Sequence, residues 1–95
     1  MAVAAVFTFP RSGIEQYEAF LELHGEELRN QPARRFHVCF ETDDGYMVVD
    51  VWDSLEAFER FGEVIGDVAR DVRSAEHPPP LTPFQLKLHR VHSVI

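Results

Sequence analysis

Length, composition and charge limit what this chain can be. Its 95 residues are enough for one small domain, and 45% hydrophobic with 26% charged residues is a globular rather than a disordered or fibrous composition. The 16 acidic residues outnumber 9 basic ones, giving a net charge of -7, so we expect no nucleic-acid partner.

The first part of the chain predicts a strand followed by a helix. Residues 2–9 are apolar and rich in Val and Phe, which is typical of a strand. Apolar side chains then repeat at helical spacing over residues 14–29, and Ser12 with Glu15 fits a capping box at the start of that helix. Pro32 disfavours helical conformation just before it and should end the helix.

A hairpin follows. Residues 34–42 and 46–53 alternate between apolar and polar side chains, and Asp44-Gly45 suits the two-residue loop of a type I′ turn. Counting outward from that loop sets His37 opposite Trp52.

The remainder predicts a second helix and a last strand. The helix should begin after Asp53 or Ser54, either of which can cap it, and end near Ser74. A stiff proline-rich segment over residues 77–83 separates it from residues 84–95, which alternate again. The order βαββαβ favours a single α+β domain over residues 1–95 with the ferredoxin-like fold, a four-stranded antiparallel sheet with two helices on one face.

Alternation divides the sheet into two faces. The uniformly apolar face is expected to lie under the helices and comprises Phe36, Val38, Phe40, Met47, Val49 and Val51, extended by Phe84, Leu86 and Leu88. The other, mixed face comprises His37, Cys39, Glu41, Val48, Asp50 and Trp52, with Gln85, Lys87, His89 and Val91. Leaving Trp52 in water would cost a few kcal/mol, so we expect a second copy to cover this face in a sheet-to-sheet homodimer.

The segment from Gly45 to Phe58, with its Trp-Asp-Ser-Leu-Glu-Ala-Phe junction, and the closing Val91-His92-Ser93-Val94-Ile95 resemble the dimeric α+β barrel superfamily. The most similar subset is the antibiotic biosynthesis monooxygenase-like proteins. The resemblance implies a homodimeric barrel and a pocket inside the barrel or between sheet and helices. It also implies cofactor-independent oxidation of a small planar or aromatic molecule.

Haem degradation, which some members of the superfamily carry out, is disfavoured. Those members use an Asn, a Trp and a His, and an ungapped comparison sets Val6, Phe61 and Asp71 at the three positions. None of these side chains supplies the same chemistry, so we expect neither haem nor another cofactor.

The candidate catalytic residues are His37, His89 and Asp50. Imidazole titrates near neutrality, so either histidine is a candidate general base, and Asp50 would orient His37 diagonally across the hairpin. The plain alternatives are hydrogen-bonded interface histidines and a solvated carboxylate. A metal site built from these side chains and Cys39 would need His89, which lies on a strand distant from the hairpin, so only the partner's His89 could approach; we predict no metal site.

The candidate ligand-binding residues are mainly aromatic. Trp52 and Tyr46 would shape the pocket, although Trp52 also suits a packing anchor, and Cys39 suits structural packing as well as ligand contact. His24 would line a helix-side pocket together with Phe61.

Two functions remain open on this sequence. One is a cofactor-independent monooxygenase-like enzyme, and the other is a non-catalytic homodimer that binds a small ligand or a protein. The lone cysteine excludes an internal disulfide, and no stretch resembles a signal peptide or a membrane span. We therefore expect a cytoplasmic protein with no membrane partner.

Overall fold

The computed structural model describes residues 1–63 and 84–94, without the side chains of Leu23, His24 and Glu27. The predicted end of the second helix, the proline-rich segment and Asp71 lie outside these residues. The elements in chain order are β1 (Val3–Pro10), α1 (Ile14–Arg29), β2 (Arg34–Glu41), β3 (Gly45–Trp52), α2 (helical over 55–63) and β4 (Gln85–Arg90).

The strands of the described residues form one antiparallel sheet in the order β2-β3-β1-β4. Both helices pack on the same face of it, since Phe20 and Leu28 of α1 and Phe58 and Phe61 of α2 share a buried cluster with Trp52. The predicted ferredoxin-like α+β fold is confirmed.

Helix α1 has the predicted bounds but not the predicted cap. Gly13 is the N-cap residue and makes no side-chain cap. The Ser12 hydroxyl instead donates to the Pro10 carbonyl at 3.0 Å, so the capping-box prediction is wrong. At the other end the Asn30 N–H donates to the Glu26 carbonyl at 3.0 Å and closes the last turn before Pro32.

Of the two residues proposed to cap helix α2, Ser54 does so. The Ala57 N–H donates to its hydroxyl at 3.1 Å. Asp53 instead forms an ion pair with Arg35 at the surface.

The hairpin between β2 and β3 turns one residue earlier than predicted. Thr42 and Gly45 close it: the Thr42 N–H donates to the Gly45 carbonyl at 2.9 Å, and the Gly45 N–H donates to the Thr42 hydroxyl at 3.0 Å. Gly45 is the first residue of β3, and glycine is required there because a Cβ would lie 2.0 Å from the Phe9 carbonyl oxygen of β1. The pairing consequently differs by two residues, so that His37 lies opposite Asp50, and the predicted pairing of His37 with Trp52 is wrong.

The assignment of the two sheet faces to helix and solvent is also wrong. On β3 every second residue is buried, and these residues are Tyr46, Val48, Asp50 and Trp52. The helices therefore cover the mixed face, and the apolar residues of β2 and the alternate residues of β3 form the outer face. The helix-covered side carries the largest rings, which fill the space beneath two helices better than valines do.

Strand β4 is oriented relative to the helices as predicted, but each of its faces is shared with the other set of hairpin residues. Leu86 pairs with Phe7 and Leu88 with Ala5, so both leucines share the helix-covered face. His89 pairs with Ala4, which itself pairs with Val51, and therefore lies on the outer face.

Candidate functional site

A cavity of about 200 Å³ lies between the helix-covered face of the sheet and α1. Most of its lining is aromatic or aliphatic, with a few polar side chains among them. The lining residues are Phe7, Phe9, Tyr17, Phe20, Leu21, Leu28, Arg29, Arg34, His37, Tyr46, Val48, Asp50, Phe61 and Phe84. An apolar cavity with a small number of polar groups is the usual form of a small-molecule site.

His37 and Asp50 form a hydrogen-bonded pair across the hairpin. Their positions face each other on β2 and β3, and His37 Nδ1 lies 2.5 Å from Asp50 Oδ1. The Asp50 side chain is 2% exposed and the His37 side chain 29% exposed, so only the imidazole reaches solvent. An ionised carboxylate can only accept, so His37 donates from Nδ1, and in the neutral imidazole Nε2 is then the acceptor.

Tyr17 of α1 completes a chain of three residues. Its hydroxyl oxygen lies 2.7 Å from His37 Nε2, and the two rings are stacked with their planes 14° apart. The hydroxyl donates to the acceptor nitrogen that Asp50 has fixed. A hydroxyl, an imidazole and a carboxylate in this order can move a proton from the cavity toward the buried carboxylate.

Burial raises the pKa of Tyr17, and the nearby Cys39 and Asp50 raise it further, while Arg34 and Arg29 act in the opposite direction. The phenol is therefore protonated at neutral pH and available as a hydrogen-bond donor. Sequence reasoning treated Tyr17 only as part of an apolar helix stripe. Its hydroxyl on the face that packs on the sheet was the signal that could have marked it.

Tyr46 and Trp52, both predicted to shape the pocket, have different positions. Tyr46 forms part of the cavity wall, stacks on Phe9 with ring centroids 4.5 Å apart, and donates from its hydroxyl to Gln16 Oε1 at 2.7 Å. Burial raises the pKa of Tyr46. Trp52 lies behind the wall in the core, 4.6 Å from the Phe61 ring.

The other predicted site residues divide between the pocket and the outer face. Phe61 lines the cavity, whereas His89 lies on the opposite side of the sheet, so the expected grouping of His89 with His37 on one face is wrong. Cys39 points to the helix-covered side against Tyr17 and Tyr46, and burial together with Glu41 raises its pKa to about 11. Its thiol is therefore un-ionised at neutral pH. The side chain of His24 is outside the described residues.

The described residues do not provide a metal site or a haem-degrading set. No cluster of three His, Cys, Asp or Glu side chains within residues 1–63 and 84–94 is arranged to hold a metal ion. Of the positions compared with the haem-degrading residues, Val6 pairs with Val49 on the outer face. Phe61 lines the pocket, but its side chain has no polar atom. In the same ranges no helix has the length and hydropathy needed to cross a membrane.

No family model and no curated protein matches the chain. Several solved structures are similar to this chain over nearly its whole length. The cofactor-independent oxygenase SnoaB from Streptomyces nogalater, in a mutant form, is 19% identical with a TM-score of 0.70, covering 99% of this chain and 96% of that one.

Two further structures extend the similarity. The heme-degrader MhuD from Mycobacterium tuberculosis, with two hemes bound, is 17% identical with a TM-score of 0.66 and 98% coverage of both chains. The monooxygenase ActVA-Orf6 of Streptomyces coelicolor, in complex with Nanaomycin D, is 23% identical with a TM-score of 0.62, covering 99% of this chain and 90% of that one. The expected resemblance is confirmed at the level of the fold, and the chain has the architecture of the antibiotic biosynthesis monooxygenase-like proteins.

Proposed function

We propose that this protein is a cofactor-independent oxygenase acting on a small planar aromatic molecule in the helix-side cavity. The observation that carries the proposal is the hydrogen-bonded chain Tyr17–His37–Asp50, whose three members all line an otherwise aromatic and aliphatic cavity. SnoaB and ActVA-Orf6 support it as an oxygenase and a monooxygenase of the same fold.

The reaction begins with removal of a proton from the substrate. The Tyr17 oxygen accepts a hydrogen bond from an acidic C–H or O–H of the substrate, and its own proton moves to His37 Nε2. Asp50 stabilises the resulting imidazolium through Nδ1. A positioned general base of this kind contributes about 10² to 10⁴ in rate.

Dioxygen is the oxidant in the second stage. For a methylene between two aromatic rings, the carbanion left by deprotonation gives two electrons to dioxygen and forms a C–O bond. The resulting organic peroxide anion takes up the proton held by the relay and becomes a hydroperoxide. Loss of water then leaves a carbonyl, so one methylene and one dioxygen give one ketone and one water. The apolar lining keeps bulk water from reprotonating the carbanion.

A haem does not fit the same residues. The cavity of about 200 Å³ is below the usual range of about 300 to 1,000 Å³ for sites of drug-sized ligands. His37 is the histidine among the described lining residues, and its Nε2 is engaged by the Tyr17 hydroxyl. These two features favour a small aromatic substrate over haem.

The proposal includes a homodimer. Phe36 and Phe40 of the outer face are 49% and 42% exposed, and the valines of β2 and β3 lie beside them. A sheet of this size presents roughly 400 Å² of surface, as large as the biggest apolar patches on monomers. A second copy packed sheet to sheet removes this surface from water and leaves each helix-side cavity in its own chain.

Oxygen uptake tests the catalytic proposal. Anthrone and naphthohydroquinone are supplied to the wild-type protein, to His37→Gln and to His92→Gln, with the enzyme-free rate subtracted. His92 is an exposed histidine outside the strands and is the matched control. We expect His37→Gln to lose at least about 100-fold in turnover and His92→Gln to retain it.

Equal turnover in the two variants would remove His37 as the base. A wild-type protein that binds these molecules and consumes no oxygen would favour the non-catalytic binding module instead.

A further inference from the structure

We infer that the cavity is built for an aromatic acid, with Arg29 and Arg34 binding the carboxylate of a small aromatic substrate. The inference rests on the proposed function only in using the same cavity, and it names the substrate class.

Among the side chains that the structure describes, no carboxylate is paired with the guanidinium group of Arg29 or Arg34. Both arginines line the cavity, and within residues 1–63 and 84–94 neither forms an ion pair with a carboxylate. The adjacent Arg35 differs, because it pairs with Asp53 outside the cavity. Asp50, the one carboxylate among the described lining residues, is bound to His37. A cationic pair in an apolar wall favours an anionic ligand, and guanidinium groups match carboxylates in geometry.

A β-bulge brings Arg34 to this wall. Arg34 pairs with Trp52 and Phe36 pairs with Val51, so β2 has one extra residue, Arg35, at this point. In a regular strand, side chains three positions apart point to opposite faces, and Arg34 would lie on the face opposite to His37. The bulge reverses this and re-aims Arg34 into the cavity.

Aromatic rings hold Arg34 in place, and a glycine leaves room for Arg29. The Arg34 guanidinium carbon lies 5.8 Å from the Trp52 ring centroid and 6.0 Å from that of Phe61, which are cation–π distances. Arg29 lies back along its own helix over Gly25, where an added Cβ would be 3.1 Å from its Nη1. The glycine leaves the space that this conformation of Arg29 occupies.

The spacing suits a substrate whose carboxylate lies about one or two ring widths from its reacting group. The β3 partners of Arg34 and His37 are Trp52 and Asp50, two residues apart, which is about 7 Å along the sheet. Arg29 and Arg34 each act to lower the pKa of Tyr17, so their charge acts on the proton relay. A cavity of about 200 Å³ is somewhat larger than one of about 150 Å³ that holds benzene.

Calorimetric titration with naphthoate and with naphthamide, its neutral carboxamide, tests the inference at neutral pH. The wild-type protein should bind naphthoate about tenfold more tightly than naphthamide, as charge-assisted hydrogen bonds from a partly exposed pair would give. Arg34→Gln should reduce that ratio severalfold, and Arg34→Gln with Arg29→Gln should bring it close to one. Arg35→Gln is the matched control and should keep the wild-type ratio.

Three results would overturn the inference: equal affinity of the wild-type protein for both molecules, no binding of naphthoate at millimolar concentration, or equal losses for both molecules in Arg34→Gln. The last result would assign Arg34 a packing role. The titration is independent of turnover, so a protein that prefers naphthoate and consumes no oxygen keeps this inference and loses the oxygenase proposal. A protein that consumes oxygen but does not prefer naphthoate over naphthamide keeps the oxygenase proposal and loses this inference.

Discussion

Replacing Phe36 with alanine should weaken the association of two copies through the outer sheet face. Phe36 is 49% exposed in the single chain and lies on the same face as Val38, Val49 and Val51. In a twofold-symmetric dimer each Phe36 is removed from water, so the substitution acts twice. The fold of one chain should be almost unaffected, because the ring is not part of the core under the helices.

The magnitude follows from the exposed area. A phenylalanine side chain presents about 200 Å², and about half of it is about 100 Å². At about 25 cal/mol per Å² this is about 2.5 kcal/mol for one ring and about 5 kcal/mol for the pair. Alanine retains part of the contact and burial in the dimer is incomplete, so we expect the dimer Kd to rise by about a hundredfold to a thousandfold.

Sedimentation velocity across nanomolar to micromolar concentrations measures this Kd. Leu55→Ala is the matched control, since Leu55 is 45% exposed but begins α2, away from the outer face. We expect Leu55→Ala to dimerise as the wild-type protein does. A wild-type chain that sediments as a monomer at tens of micromolar, or a Phe36→Ala variant with unchanged Kd, would refute the proposed interface.

Three further predictions concern the cavity and its wall. Asp50→Asn should lower turnover by about 10² to 10⁴ with little change in melting temperature. An amide that donates to His37 Nδ1 favours the tautomer with hydrogen on Nε2, which cannot accept from Tyr17. Unchanged turnover would contradict the relay. Tyr46→Phe removes the hydroxyl that donates to Gln16 and should cost about 1 kcal/mol in urea denaturation, whereas an unchanged midpoint would mean that this bond contributes nothing net. The Cys39 thiol has a pKa of about 11 in the fold against 9.0 when unperturbed, so the unfolded chain loses its proton first and stability falls as pH rises between these values. In Cys39→Ala the free energy of unfolding should fall by about 1 kcal/mol less over the same pH range. If chemical denaturation shows an equal fall in both proteins, the thiol does not contribute.

The sequence predicted the element order and the bounds of α1 because these depend on local patterns. Alternation also sorted the hairpin residues correctly into two sets. It did not show which set lies under the helices, because both contain large apolar side chains. The deciding factor is the fit of Tyr46 and Trp52 with the helix side chains, which exists only once the helices are packed.

The site was partly predictable. His37 and Asp50 were selected together from their residue types, but their direct pairing depends on where the hairpin turns. At that turn Gly45 lies close to the Phe9 carbonyl, a contact between strands distant in sequence that admits no side chain. The contribution of Tyr17 from a helix and the bulge that re-aims Arg34 likewise depend on tertiary packing.

The central claim is that Asp50 and Tyr17 hold His37 as a base, with Asp50 accepting from Nδ1 and the unprotonated Nε2 directed toward the Tyr17 hydroxyl. Nitrogen-15 NMR of the histidine side chains at neutral pH tests it most directly, with His37→Gln used to assign the signals. The account predicts the Nδ1–H tautomer for His37, with Nε2 unprotonated and accepting from Tyr17, and loss of this pattern in Asp50→Asn. A His37 ring protonated on Nε2 alone, or one whose signals are unchanged in Asp50→Asn, would contradict it.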